Sequence, residues 1–72
     1  MKHKVGDVVR VKSKAWYDEN KDSNGEIDFL DWAFIPEMAE YCGKELTIIV
    51  EGCHFYSMKE CPNWCWCDDM LE

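Results

Sequence analysis

Seventy-two residues allow one domain and one small core, and an apolar share of 47% against 32% charged residues excludes a disordered chain. A net charge of −7, from 15 acidic against 8 basic side chains, speaks against a surface built to grip nucleic-acid backbone, where Lys and Arg must neutralise phosphates. No apolar run approaches the ~20 residues of a membrane span, no secretory h-region opens the chain, and an odd number of cysteines fits a reducing compartment, so a cytoplasmic location is expected.

Met1–His3 is expected to fray. In Lys4–Lys12, Val5, Val9 and Val11 fall on one parity, while Lys4, Arg10 and Lys12 fall on the other with Val8 as an apolar intruder. Period-2 patterning in β-branched residues predicts a strand with one buried face, interrupted early by Gly6-Asp7 as a turn or bulge. Ser13–Tyr17 either extends that strand or bends away. Residues 18–31 are polar and acidic, with Asn24-Gly25 the clearest turn signal, and a short strand or packed loop follows around Ile27–Trp32. Pro36 suits the first position of a helix, Glu37 and Glu40 suit its positive end, and Gly43 can end it, so a short helical turn is predicted over 36–42.

From Glu45 the period returns to two, with Leu46, Ile48 and Val50 on one face. Gly52 links this strand to a partner over His54–Met58. Lys59–Asn63, with Pro62, reads as a turn. Trp64–Cys67 reads as a short strand with Trp on one face and Cys on the other, and Asp68–Leu71 as a closing turn that drops Met70 or Leu71 onto the core. Leu71-Glu72 is compatible with a native end or an appended pair. The fold class expected is mainly β: a small barrel of four to five short antiparallel strands forming one domain over 1–72.

The segments V-G-D-V-V-R-V-K, P-E-M-A-E-Y-C-G-K-E-L-T-I and W-C-D-D-M-L-E resemble a family of small SH3-like barrel proteins found in bacteria and their phages. The resemblance implies a fold and brings no assigned catalytic residues. It also implies that the excursion Ser13–Lys44 corresponds to the loop between the first two strands, which commonly forms one wall of a ligand groove.

Three constellations carry candidate chemistry. Residues 20–31 lie on the twelve-residue pattern of a calcium loop, with Asn20, Asp22, Asn24, Asp28 and Asp31 at ligand positions and Gly25 at the sharp turn. Asn20 removes a charge, Asp31 is one methylene short for bidentate ligation, and the strand predicted before the loop stands where a helix is needed, so a solvated acidic loop is the expectation. Cys53, Cys61, Cys65 and Cys67 offer thiols for zinc, but only one loose pair has suitable spacing, and free thiols acting as small hydrophobes are expected. Cys53-His54 is adjacency without geometry, since strand neighbours point to opposite faces.

Ten aromatics, four of them Trp, exceed what a core this size can hide. Trp16, Tyr17 and Trp32, with Asp22 and Asp28 beside them, are the expected partner-binding surface. The chain is thus expected to be a non-enzymatic, monomeric module without a cofactor or resident metal. Its expected partner is another protein with a basic surface; the resemblance to phage proteins implies a host protein, approached even by mimicry of nucleic acid. The alternative classes are nucleic-acid binding through Lys4, Arg10, Lys12 and Lys14, and metal binding at the sites above. Residues 2–14 hold five of the eight basic side chains and 18–31 hold six acids, so the basic face reads more readily as a counter-charge to the acidic loop.

Overall fold

A computed structural model describes residues 2–72; Met1 lies outside the described residues. The first strand, β1, is short, Val8–Arg10. Val9 and Val11 are buried as the alternation predicts, but Val5 is 59% exposed. The cause is a tight turn: Gly6 takes φ +97°, the Asp7 N–H donates to the Lys4 carbonyl at 3.0 Å, and the Lys4 N–H donates to Asp7 Oδ2 at 2.9 Å. The turn takes Val5 off the strand. His3 does not fray either, because its N–H donates to the Tyr56 hydroxyl at 3.0 Å.

Beyond β1 the chain enters an α-helix, α1, Lys14–Asn20, where the sequence suggested a strand extension or a bend. Ser13 caps it, accepting from the Trp16 N–H at 3.1 Å, and Asp18 pairs with Lys14 at 3.0 Å and Lys21 at 3.3 Å. A seven-residue helix is marginal alone, so its anchor matters: Tyr17 is buried and its hydroxyl donates to the Gly25 carbonyl at 2.6 Å. Gly25, at φ +79°, turns the chain where Asn24-Gly25 predicted. Strand β2 (Ile27–Asp28) then pairs with β3 (Ala33–Phe34) as a separate two-stranded sheet. The predicted helical turn is a 3-10 helix over Pro36–Tyr41, with Pro36 at its start and Met38 in the core, and Gly43 follows at φ +78°.

Strands β4 (Glu45–Glu51), β5 (Tyr56–Met58) and β6 (Cys61–Trp66) complete an antiparallel sheet of order β1-β4-β5-β6. In β4, Leu46 and Ile48 are buried, but Val50 is 46% exposed. The register moves from Ile48↔Met58 to Val50↔Ser57, and this bulge at Ile49 ends the alternation. Pro62 and Asn63 belong to β6 and not to the preceding turn; an edge strand tolerates proline, whose missing N–H breaks no central ladder. A 3-10 helix over Asp68–Met70 places Met70 in the core, and Leu71, also buried, bridges Val11. The Lys12 N–H donates to the Met70 carbonyl at 3.0 Å and the Glu72 N–H to the Arg10 carbonyl at 2.9 Å. The end of the chain therefore occupies the edge of β1 that β4 leaves free. The molecule is mainly β, with two open antiparallel sheets around one core.

Trp66 is at the centre of that core, edge-on to Phe34 at 5.9 Å and to Tyr41 at 6.0 Å. Phe34 in turn receives Trp16 at 5.2 Å and Tyr17 at 5.5 Å, so the excursion between β1 and β4 is fastened to the sheet through aromatic contacts.

Candidate functional site

Three segments distant in sequence meet at a concave surface of about 180 Å³. Phe29–Trp32 comes from the β2–β3 hairpin, His54 from the link between β4 and β5, and Cys67–Asp69 from the start of the last 3-10 helix. The hairpin closes on a bond from the Phe29 N–H to the Trp32 carbonyl at 2.8 Å, which sets Trp32 against the link. There its indole N–H donates to the His54 carbonyl at 2.9 Å, and its ring lies tilted against Phe55 at 5.6 Å. Gly52 makes that seat possible: a Cβ at this position would lie 2.0 Å from the Phe55 ring. Leu30, at the hairpin tip, is 98% exposed at the rim.

The charge of the surface is one-sided. Asp31, Asp68 and Asp69 line it and, among the described residues, neither Lys nor Arg does. Asp68 Oδ1 accepts from the Tyr56 hydroxyl at 2.6 Å. Burial, followed by this bond to the carboxylate, pushes the Tyr56 phenol up to about 12. Carboxylates beside an aromatic side chain suit a cation, chiefly through Coulomb attraction. A volume of about 180 Å³ lies below the roughly 300–1,000 Å³ of ordinary small-molecule pockets, and suits one side chain of a larger partner.

The sequence-predicted surface is only partly assembled. Trp32 lines the groove, Trp16 is half-buried on Phe34, and Tyr17 is only 5% exposed, which removes it from any contact surface. Tyr17 is drawn inward because α1 turns it, as its one fully buried residue, onto Phe34. Asp28 pairs with Ala33 in the hairpin, and Asp22 Oδ1 accepts from the N–H groups of Asn24 at 2.8 Å and Glu26 at 3.0 Å. Both acids are exposed and neither lines the groove.

The calcium pattern gains the entering helix that the sequence reading denied it, and its residues make separate contacts. Asn20 bonds back to the Trp16 carbonyl at 2.7 Å, Asp22 braces its own turn, and Asp31 lines the groove. Among the described residues no group of three or more His, Cys, Asp or Glu side chains is placed to hold a metal. Cys53 is exposed, Cys65 half-buried, and Cys61 and Cys67 buried, all as free thiols. Burial pushes the thiols of Cys42, Cys61 and Cys67 up, which keeps them protonated and poorly nucleophilic at neutral pH.

The basic face is divided in the same way. Arg10 pairs with Glu45 at 3.3 Å and Lys14 with Asp18, while Lys12 lies over the Trp16 ring at 5.5 Å and Lys4 belongs to the N-terminal turn. Leu30, Asp68 and Asp69 were not singled out as site residues by the sequence, and His54 was weighed there only beside Cys53. Each is in a turn or link where no period operates, and only the fold brings them together. Comparison with known proteins returns no match: no family model, no curated protein and no solved structure matches the chain.

Proposed function

We propose that this chain is a small protein-binding module built as an SH3-like barrel, and that its groove takes a basic, partly apolar segment of another protein. The barrel reading is supported by the return of Leu71 to β1, and by the long excursion between β1 and β4, which supplies the groove's outer wall. The observation that carries the binding reading is the composition of the groove: three carboxylates, a half-buried Trp and a Leu that is 98% exposed. Charge steers the partner in, the indole and Leu30 supply contact area, and one Arg or Lys side chain fills the concavity.

The reading is one of binding, and it asks no chemistry of the buried thiols of Cys61 and Cys67, which burial holds protonated. The test is a titration with an end-blocked Leu-Arg-Leu-Arg-Leu-Arg hexapeptide, followed by Trp fluorescence. Saturable binding that weakens about tenfold in the Asp31→Asn, Asp69→Asn double variant and weakens with salt is expected. Equal binding of a Leu-Glu hexapeptide, or none by either peptide, contradicts the reading.

A further inference from the structure

One wall of the groove is held from behind by a residue that does not line it. Tyr56 is fully buried, paired with Trp66 across β5 and β6, and its hydroxyl joins two other segments. It donates to Asp68 Oδ1 at 2.6 Å and accepts from the His3 N–H at 3.0 Å, with the His3 ring packed edge-on to the phenol at 5.8 Å. The hydroxyl has a single proton and it goes to Asp68; accepting from His3 polarises that O–H and strengthens the bond it makes.

We infer that Tyr56 is a positioning residue for the groove: its hydroxyl sets Asp68 in place before a cationic side chain arrives and couples that carboxylate to the N-terminal arm at His3. This rests on the groove being the binding site. An aspartate at the start of a three-residue 3-10 helix has rotamer freedom, and fixing it beforehand removes an ordering cost from binding. The bond commits Oδ1 to the interior. Among the described residues no side-chain hydrogen bond engages Oδ2, which is left to meet the ligand. A shift of Asp68 toward a bound cation changes the Tyr56–Asp68 bond, and the shared hydroxyl carries that change to the His3 amide.

A purely structural hydroxyl would cost stability when removed but leave affinity alone, so a double-mutant cycle separates the two roles. The hexapeptide affinity is measured for the wild type, Tyr56→Phe, Asp68→Ala and the double variant, with the His3 amide followed by NMR. Tyr56→Phe is expected to weaken binding about tenfold when Asp68 is present and to have no effect when position 68 is Ala. In the wild type the His3 amide resonance moves on saturation, and in Asp68→Ala it does not. Unchanged affinity in Tyr56→Phe, or an equal loss in both backgrounds, overturns the positioning role while leaving the groove intact. Absence of peptide binding by the wild type overturns both readings. If Tyr56→Phe does not fold, the His3 amide decides alone: a resonance that stays fixed on saturation of the wild type overturns the coupling.

Discussion

At the scale of single residues, Tyr56 shows how burial and one hydrogen bond set a proton's affinity. Its phenol is raised from an ordinary value of 10.0 to about 12, first by burial and then by the bond to Asp68. For an acid with a raised folded-state pKa, the protonated form is the one the fold stabilises. Between about pH 10 and 12 the unfolded chain releases this proton while the folded chain keeps it, so stability falls as pH rises. Tyr41 is also pushed up by burial, and the informative comparison is therefore between wild type and Tyr56→Phe. The wild type is expected to lose stability more steeply across that window, as read by urea midpoints from pH 9 to 12. Parallel curves for the two proteins would assign the loss to other groups.

At the scale of elements, the strands were the most legible part of the chain. β-branched alternation marked β1 and the first half of β4, and Asn24-Gly25 and Pro36 marked turns whose backbone needs those residues. α1 was not legible, because a seven-residue helix with one fully buried position, Tyr17, shows no periodicity. The only signals were Ser13 as a cap and the Lys14–Asp18 spacing. The bulge at Ile49 and the placing of Pro62 inside β6 depend on cross-strand register, which local pattern does not encode. The link between β4 and β5 ties element geometry to the site, since Phe55 occupies the space beside Gly52 and supports Trp32. Gly52→Ala is expected to displace that ring, costing about 1–3 kcal/mol and shifting the Trp32 indole N–H resonance. A variant with wild-type stability and an unmoved indole would show that the link accommodates the methyl group by another route.

At the scale of the whole molecule, the bridge between Leu71 and Val11 and the groove have one origin. The last six residues turn over the sheet end, deliver Asp68 and Asp69 to the groove, and then place Leu71 against Val11. Leu71→Ala removes a buried side chain at that junction and is expected to cost about 2–4 kcal/mol in urea unfolding. A loss within 0.5 kcal/mol, roughly the scatter for surface substitutions, would mean that the junction does not hold the fold. The groove was not legible in the sequence for a related reason. Residues 29–32, His54 and 67–69 are far apart in the sequence, and their convergence is a property of the folded chain. What the sequence did show was an excess of aromatic residues and an acidic excursion; of the aromatics it pointed to, Trp32 lines the groove and Tyr17 is buried.

The central claim is that this convergence forms a site for a basic segment. Its most direct test is a map of amide and indole shifts on titration of the ¹⁵N-labelled protein with the Leu-Arg hexapeptide. The expected result is saturable movement centred on residues 29–32, 54 and 67–69, with the Trp32 indole among the largest. Shifts centred instead on α1 and β1, or no shifts at saturating peptide, would contradict it.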